Sequence, residues 1–398
     1  MNIVHICLRG PYTDNWGYQE NILPKCQVRL GDEIYIIAQN QKHETNGEIV
    51  ETDIGEYTLD DGVNIIRIKA SPVLGSERIG TKLGNYKYFE YLERICPDIV
   101  FVHGLFTGYL SSSQLKQYKK KYANTIIVTD NHEFGYGLKY PLSLKQRVFR
   151  VIRKKVVKGL LCCYDVVYCL APMCSKFAFE YYGIPLMLIR ELPLGFDDEL
   201  CNIEEKEIIR NEIRKDLNIK NEDYLIVHGG KIIPRRLTDV AINSVKKVHK
   251  TIPNIKLAIF GDISPDLKVD VESLIKENSD FVIYLGHQNQ EKYLKLFMAA
   301  DIGLFPGAPS ALWQEAIGCE LFLALCNGND SEYLNRDNNV VFTQPDVDSV
   351  AEGISLVISN KMYDSKVNTG IREAKNYFSY NKMAKDIRKL GLKNDKES

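Results

Sequence analysis

Two basic side chains follow a pair of glycines in the segment Val227–Arg236, and they are candidates for binding a diphosphate. A predicted strand ends at Gly229 and Gly230, and Lys231 and Arg236 come after it. Glycine lets the backbone approach a phosphate closely. Each charge-assisted hydrogen bond to a phosphate oxygen contributes about 1.5–3 kcal/mol. The pattern therefore predicts a diphosphate-binding turn, although a basic surface turn has the same signature.

A second candidate anion site is a predicted helix start that follows the loop Pro306–Pro309. Ser310 is the predicted N-cap, so the backbone amides of Ala311 and Leu312 would point towards an anion. Glu315 follows just over one turn later, where its carboxylate would accept hydrogen bonds from two ribose hydroxyls. A solvated helix glutamate is the alternative interpretation.

Short apolar runs rich in β-branched residues alternate with amphipathic segments along most of the chain. This alternation predicts parallel sheets with helices on both faces. The predicted strands are Ile3–Leu8, Ile34–Ala38, Asn64–Ile68, Ile99–Val102, Thr125–Thr129, Val166–Leu170, Met187–Glu191, Tyr224–His228, Lys256–Phe260, Val282–Leu285, Ile302–Phe305, Leu321–Leu325 and Val340–Phe342. The predicted helices include Tyr18–Leu30, Lys82–Ile95, Ser111–Tyr122, Asp239–His249, Gln290–Ala300 and Ala311–Gly318.

A charged, strand-poor stretch from about residue 197 to 222 divides this alternation into two α/β halves. We predict one Rossmann-like domain over residues 1–198, a second over 199–375, and a C-terminal helix within 376–398 that packs back towards the first domain. Two such halves imply a cleft between domains, where ligands prefer to bind.

Several protein classes lack support in the sequence. The first turn, Arg9–Gly17, has no G-x-G-x-x-G motif, and there is no Walker-type phosphate loop. Formal net charge is -1, so bulk charge favours no particular partner. The N-terminus is predicted to be a strand rather than a signal peptide, and no run of about 18 apolar residues occurs. Ten scattered cysteines without a metal-ligand pattern favour reduced thiols and a cytoplasmic protein.

The string Asp346-Val347-Asp348 superficially matches a metal-binding D-x-D motif. It follows Pro345 at a predicted helix start, where an aspartate caps the helix. We therefore predict helix capping here and no metal site.

A basic stretch without Asp or Glu runs from Phe134 to Tyr164. Apolar side chains interleave with its cations at helical spacing, which is typical of a helix on an anionic membrane surface. A solvated helix face is the alternative, and nucleic acid is disfavoured because no recognition motif accompanies the charge. The predicted membrane-surface residues are Lys145, Arg150, Arg153, Lys154 and Lys158.

Taken in order, these segments resemble retaining GT-B glycosyltransferases of family four, many of which build capsule, O-antigen and other surface polysaccharides. The resemblance extends over nearly the full length. It is carried by Gly17, Gly31–Ile34, Leu192–Asp197, Lys231, Arg236, Phe260–Asp262, Tyr284–His287, Ala299–Ile302 and Glu315–Cys319.

The resemblance implies an α/β GT-B fold, with two Rossmann-like doubly wound parallel-sheet domains facing a central cleft. The first domain would bind a saccharide or lipid-linked acceptor, and the second a nucleotide diphosphate sugar, without metal or cofactor. His132, in Thr129–Phe134, resembles the family histidine that faces the donor sugar, and His103 is the second candidate. The implied donor-binding residues are Gly17, Gly230, Lys231, Arg236, Ser310, Ala311, Leu312 and Glu315.

The chain departs from the family pattern in its donor loop. Gly307 occupies the position where the family usually has the first of two glutamates, and Ser310 stands where a glycine is common. Trp16 precedes Gly17 where the family often has a glycine pair. These departures leave two alternatives open: a catalytically degenerate scaffold that binds nucleotide or membrane, and a sugar-nucleotide epimerase on the same fold.

Overall fold

The chain forms two units, and its C-terminal end returns to the first of them. A computed structural model describes residues 1–44, 47–134, 143–326, 331–359 and 365–394. Met1–Pro193 and Tyr380–Ser398 form the first unit, and Leu194–Ser379 forms the second. The boundaries predicted at 198 and 375 lie within a few residues of these divisions.

The described part of the first unit contains an eight-stranded sheet with the order β10-β9-β8-β7-β1-β2-β6-β5. All neighbours in it are parallel except β5, which pairs antiparallel with β6. Its strands are β1 (Asn2–Cys7), β2 (Glu33–Gln39), β5 (Gly55–Thr58), β6 (Asn64–Ile68), β7 (Ile99–Val102), β8 (Ile126–Asn131), β9 (Val166–Cys169) and β10 (Ile189–Glu191). A separate antiparallel pair is formed by β3 (Gln41–His43) and β4 (Ile49–Glu51). The helices are α1 (Gln19–Arg29), α2 (Glu77–Leu83), α3 (Phe89–Ile95), α4 (Ser112–Lys121), α5 (Leu144–Leu160) and α6 (Pro172–Phe177).

The described part of the second unit contains a six-stranded parallel sheet with the order β13-β12-β11-β14-β15-β16. Its strands are β11 (Tyr224–Gly229), β12 (Ile255–Phe260), β13 (Val282–Tyr284), β14 (Ile302–Phe305), β15 (Phe322–Cys326) and β16 (Val340–Thr343). Its helices are α7 (Lys206–Asp216), α8 (Thr238–His249), α9 (Lys268–Glu277), α10 (Gln290–Ala299), α11 (Leu312–Gly318), α12 (Val347–Ser359) and α13 (Ser365–Phe378).

The last helix, α14 (Tyr380–Asn394), belongs to the first unit. Its buried side chains Met383 and Ile387 join the core formed by one face of the first sheet, and its Arg388 forms an ion pair with Asp32 over 3.1 Å. Burial of this apolar face, at about 25 cal/mol per Å², holds the returning segment in place.

Strand order determines where ligands can bind in each unit. In the first sheet, connections leave the central pair β1 and β7 in opposite directions, and in the second sheet the same is true of β11 and β14. The carboxyl ends of such strand pairs leave a crevice where α/β proteins bind ligands. Each unit therefore has one such topological switch point.

One predicted helix is wrong. Lys82–Ile95 was expected to be continuous, but α2 ends at Leu83 and α3 starts at Phe89. Gly84 has φ +62°, and a Cβ there would lie 2.6 Å from Cα of Gly108. The close approach of two backbones fixes this break, and helical periodicity contains no signal for it.

Among the described helices, none combines the length and apolar composition needed for a membrane span. Within the same described ranges, no group of three or more His, Cys, Asp or Glu side chains is arranged to hold a metal ion.

Candidate functional site

The turn after β11 and the loop after β14 lie at the switch point of the second unit, and direct hydrogen bonds join them. Arg236 donates from Nη1 to the carbonyl oxygens of Ala308 at 2.5 Å and Pro309 at 2.9 Å. The amide of Ala308 in turn donates to the carbonyl of Arg235 over 2.8 Å. Burial, and then the neighbouring Arg235, lower the pKa of Arg236, which remains a cation at neutral pH. Arg236 therefore uses its Nη1 group to hold the loop after β14 in place.

A steric constraint explains why position 307 carries a glycine and not the glutamate that is usual at this position in the family. A Cβ at position 307 would lie 2.4 Å from the carbonyl oxygen of Arg235 and 2.5 Å from the carbonyl carbon of Arg236. Both contacts are with backbone, which cannot rotate away as a side chain can. In this conformation, the close approach of the two loops excludes any side chain at 307.

The predicted N-cap is displaced by one residue. Ser310 was expected to cap the helix, but α11 begins at Leu312 with Ala311 as its N-cap. The amide of Trp313 bonds the Ser310 carbonyl three residues back, at 3.2 Å, so the chain enters through a tighter 3₁₀-type turn. The Ser310 hydroxyl accepts a long hydrogen bond of 3.4 Å from the Leu312 amide, which leaves that amide only weakly satisfied.

Glu315 is held by two side chains of α10. Its carboxylate accepts from Gln290 Nε2 at 2.7 Å and from the Tyr293 hydroxyl at 3.0 and 2.9 Å. Burial raises the pKa of Glu315, while the hydrogen bonds from Gln290 and Tyr293 act in the opposite direction. The side chain is fixed in one orientation and is partly buried, with some of its surface still accessible to a ligand.

The remaining predicted donor-binding residues of this unit lie around the same turn. Gly230 has φ +100°, and a Cβ there would lie 3.0 Å from the Leu312 side chain. Lys231 is exposed. The structure therefore brings Gly230, Arg236 and the start of α11 together, and Lys231 extends from the same turn into solvent.

A buried histidine that was not singled out from the sequence supports this switch point. His228, near the end of β11, bonds the Leu304 carbonyl at 2.8 Å through Nδ1 and the Thr238 hydroxyl at 2.9 Å through Nε2. Burial lowers its pKa to about 4. It therefore stays neutral and ties β11, β14 and α8 together.

A cavity of about 310 Å³ lies at the switch point of the first unit. It opens where β1, β7 and β8 end, and its lining includes Arg9, Glu20, His103, Asp130, His132 and Arg153. Gly17, predicted to bind the donor, lies exposed in the loop between β1 and α1 and is not one of its lining residues.

The predicted histidines meet at one buried carboxylate in this cavity. Asp130 Oδ2 lies 3.0 Å from His103 Nδ1 and 3.3 Å from His132 Nε2. The amide of Gly104 donates to Oδ1 over 2.5 Å. Burial raises the pKa of Asp130, but the two histidines and the hydrogen bonds outweigh it and hold that pKa far below its ordinary value.

The Asp130 charge also sets the state of His132. Burial on its own would lower the pKa of His132, but the carboxylate outweighs burial and raises it. The side chain is 45% exposed, so this imidazole faces the cavity while Asp130 lies behind it.

The hydrogen-bond chain continues into the core. His103 Nε2 lies 3.0 Å from His5 Nδ1, and His5 Nε2 lies 2.7 Å from the Gln27 amide group. Burial, and then the proximity of His103, lower the pKa of His5 to about 3. A neutral His5 carries one N–H group, so its tautomer decides whether it donates to Gln27 Oε1 or to His103 Nε2. Asp130 accepts hydrogen bonds from His103 at one end of this chain of side chains and from His132 on the cavity side.

The basic segment forms α5, which begins with a capping box between Ser143 and Gln146. Residues 135–142 of the predicted patch lie outside the described residues. Lys145 and Lys158 are exposed, and Arg150 is half-buried. Arg153 instead forms an ion pair with Glu133, and Lys154 lies 4.7 Å from the ring of Tyr181. The apolar side chains Leu144, Val148, Val151 and Ile152 are exposed along the same helix.

Helix capping is confirmed at Asp346. Its Oδ1 accepts a hydrogen bond from the amide of Ser349, the third residue of α12, at 2.9 Å. Asp348 forms an ion pair with Lys247, so the two aspartates have separate roles.

Residues 209–377 match the sequence profile of the family described as "Glycosyl transferases group 1". The matched residues lie within the second unit. No protein of curated function matches the chain in sequence.

Solved structures share the fold over nearly the whole chain. A glycosyltransferase from Rickettsia africae has a TM-score of 0.69 at 16% identity, with 100% of this chain and 99% of that chain covered. HepE from Anabaena, solved in complex with UDP, has a TM-score of 0.68 at 13% identity, with 98% and 99% covered. Sucrose-phosphate synthase from Thermosynechococcus elongatus has a TM-score of 0.64 at 16% identity, with 100% of both covered. The predicted α/β class of two Rossmann-like, GT-B-type domains is thereby confirmed.

Proposed function

We propose that this protein is a glycosyltransferase that moves a sugar from a nucleotide diphosphate sugar to a saccharide or lipid-linked acceptor. The observation that carries the proposal is the group 1 match over residues 209–377, which contains the switch point between β11 and β14. Related folds that hold UDP or UDP-glucose support a nucleotide sugar as the donor.

The chemistry assigns each residue a role at this switch point. As the bond from the anomeric carbon to the phosphate breaks, the leaving diphosphate takes the electron pair and its charge. Lys231, Arg236 and the amides of Ala311 and Leu312 stabilise that charge, because preorganised donors act most strongly where charge develops. Glu315 accepts hydrogen bonds from the ribose hydroxyls.

The acceptor hydroxyl forms a bond to the anomeric carbon as the bond to the diphosphate breaks, and its proton passes to an oxygen of the leaving diphosphate. His132 hydrogen-bonds the sugar or the reacting group, and Asp130 orients its imidazole. By resemblance to family four, the reaction retains anomeric configuration, needs no divalent metal and serves surface polysaccharide assembly. NMR of the glycosidic product and assays with and without EDTA test the first two points.

Helix α5 is proposed to contact the anionic inner face of a membrane, where a lipid-linked acceptor would be available. Its exposed apolar side chains, such as Leu144 and Val151, lie beside exposed Lys145 and Lys158. Each basic residue near an anionic surface contributes about 1 kcal/mol. Binding to phosphatidylglycerol vesicles should fall with salt and in a Lys145→Glu/Lys158→Glu variant, while neutral vesicles should not bind. Equal binding to both vesicle types would contradict the proposal.

Calorimetric titration with nucleoside diphosphates and nucleotide sugars, without divalent metal, tests the donor site. One nucleotide should bind the wild type, and Lys231→Ala and Glu315→Gln should each weaken that binding by about tenfold or more. Lys276→Ala and Glu277→Gln, at exposed positions at the end of α9, are the matched controls and should bind as the wild type does.

Two outcomes would favour the alternatives. Failure of every nucleotide to bind the wild type would point to a degenerate scaffold, with Gly307 as its motivating feature. Conversion of the nucleotide sugar to its epimer without any acceptor would instead identify an epimerase.

A further inference from the structure

Arg9 follows β1 at the wall of the first unit's cavity, and its charge has an aromatic rather than an anionic neighbour. Its guanidinium carbon lies 4.2 Å from the centroid of the Phe106 ring and 5.7 Å from that of Tyr109. A guanidinium that stacks on a ring directs its N–H groups outwards in its own plane. Arg9 is therefore held in position while its donors remain available.

The groups whose charges act on the pKa of Arg9 are the cation of Arg153 and the phenols of Tyr109, Tyr86 and Tyr182. Among the described residues, none of the ion pairs involves Arg9, and the charge that acts on it most strongly is the like charge of Arg153. The nearby carboxylate of Glu133 is already occupied, since it pairs with Arg153 and accepts from the Tyr182 hydroxyl at 2.9 Å. Arg9 remains exposed to solvent, while partial desolvation and then the like charge of Arg153 lower its pKa, so an anion in the cavity would offset the repulsion between the two guanidinium groups.

Arg9 and Arg153 line the same cavity, and both guanidinium groups lie near the Phe106 ring. The Arg153 guanidinium carbon lies 5.4 Å from the centroid of the Phe106 ring, and both arginines line the cavity. A phosphate ester offers several oxygens and fits the planar fork of an arginine. A carboxylate has only two acceptor oxygens to share between two guanidinium groups.

The rest of the cavity lining suits a saccharide. His132, Glu20 and Asn131 line the cavity with hydrogen-bonding groups, and the Asp130 carboxylate already accepts hydrogen bonds from His103 and His132. The cavity, at about 310 Å³, is at the lower end of the roughly 300–1,000 Å³ typical of small-molecule sites. It can therefore hold a single sugar with a phosphate group.

We infer that the acceptor carries a phosphate ester, and that Arg9 binds this group while the His132 side of the cavity binds the adjoining saccharide. This inference rests on the proposed glycosyl transfer and specifies its acceptor as a phosphorylated saccharide. A soluble sugar phosphate and a lipid-linked phosphate share this chemistry.

Paired probes separate the phosphate from the rest of the ligand. Glucose 6-phosphate against glucose tests a soluble sugar phosphate, and farnesyl phosphate against farnesol, both in detergent micelles, tests a lipid phosphate. In calorimetric titrations at least one phosphate probe should bind at least tenfold more tightly than its neutral counterpart. The pair that shows the difference identifies the source of the phosphate.

Arg9→Gln should abolish that preference, and Arg9→Lys should restore part of it, because lysine keeps the charge without the fork. Arg78→Gln, at an exposed position in α2, is the matched control and should retain the full preference. Circular dichroism of each variant establishes that it is folded.

Titration of the same variants with UDP separates this inference from the proposed function. The expected result is UDP binding that is unchanged in Arg9→Gln. No preference for either phosphate probe, or a preference that survives Arg9→Gln, would overturn the inference while leaving the donor site intact. Loss of UDP binding in Arg9→Gln would assign Arg9 to the donor diphosphate and also overturn it. Failure of every nucleotide to bind the wild type would instead count against glycosyl transfer itself.

Discussion

The two units place their candidate sites at the same topological position but build them in different ways. In the first unit, three strand ends carry ionisable side chains that face an open cavity. In the second, the backbones of two loops approach so closely that position 307 accommodates only a glycine. The first site therefore depends on charge, and the second on the fit of main chain against main chain.

This difference makes each site sensitive to a different kind of change. Removal of a charge should affect the first unit, while addition of a methyl group should affect the second. The chain contains two tryptophans, Trp16 in the first unit and Trp313 in the second. With Trp313→Phe or Trp16→Phe as the background, fluorescence during urea unfolding then reports on one unit at a time.

The largest effect is expected for Asp130→Asn. The variant loses two hydrogen bonds to a charged acceptor, worth roughly 1.5–3 kcal/mol each, and recovers part of this because no carboxylate is buried. We expect the free energy of unfolding of the first unit to fall by about 3 kcal/mol. Asp98→Asn, where an exposed carboxylate accepts the Asn2 amide at 2.8 Å, should change it by less than about 0.5 kcal/mol.

This loss should depend on pH in a defined way. The pKa of Asp130 is lowered in the folded state. Its contribution to the free energy of unfolding is therefore fully present above its unfolded pKa of about 4 and is lost as pH falls towards the folded value. The pKa of His132 is raised in the folded state. Its contribution to the free energy of unfolding is therefore fully present below its unfolded pKa of about 6.5 and is lost as pH rises through the folded value. The difference between wild type and variant should be largest between about pH 4 and 6.5, and NMR titration should show a lower His132 pKa in the variant. A pH-independent difference would contradict the charge network.

A smaller effect is expected for Gly307→Ala in the second unit. The added Cβ meets backbone at 2.4 Å, and overpacking of this kind costs about 1–3 kcal/mol. Unfolding followed at Trp313 should show that loss together with weaker nucleotide binding. Gly10→Ala is the matched control in the first unit, since no atom lies within 4 Å of its added Cβ. Equal stability of the two variants would show that the second site is no more tightly fitted than the first.

The second candidate site was easier to propose from the sequence than the first because its residues lie in two short segments of the chain. Val227–Arg236 and Pro306–Glu315 are short segments whose glycines, cations and helix start can be recognised locally. The first site assembles Arg9, His103 and Asp130 from three separate strand ends. Only the strand order brings them together, and that order depends on tertiary packing.

Fold class could be predicted because strands buried on both faces leave a strong apolar signal. The break at Gly84 and the entry turn at Ser310 could not, since each depends on contacts or hydrogen bonds that local propensity does not encode. Asp130 lies in the same predicted segment as His132, and its place at the end of a buried strand was the available signal for a functional carboxylate.

The smallest effect is expected for Tyr293→Phe, which leaves the backbone fit of the second site intact and removes one hydroxyl. That hydroxyl donates to both oxygens of Glu315, so its loss frees the carboxylate to rotate and raises its pKa further. Loss of a positioning hydrogen bond worth about 1 kcal/mol corresponds to roughly fivefold weaker nucleotide binding. Tyr224→Phe, at the opposite end of β11 from the site, should bind as the wild type does in the same calorimetric titration. If Tyr293→Phe also bound as the wild type does, Glu315 would be fixed by Gln290 and its own helix, and the second site would depend on main-chain fit alone.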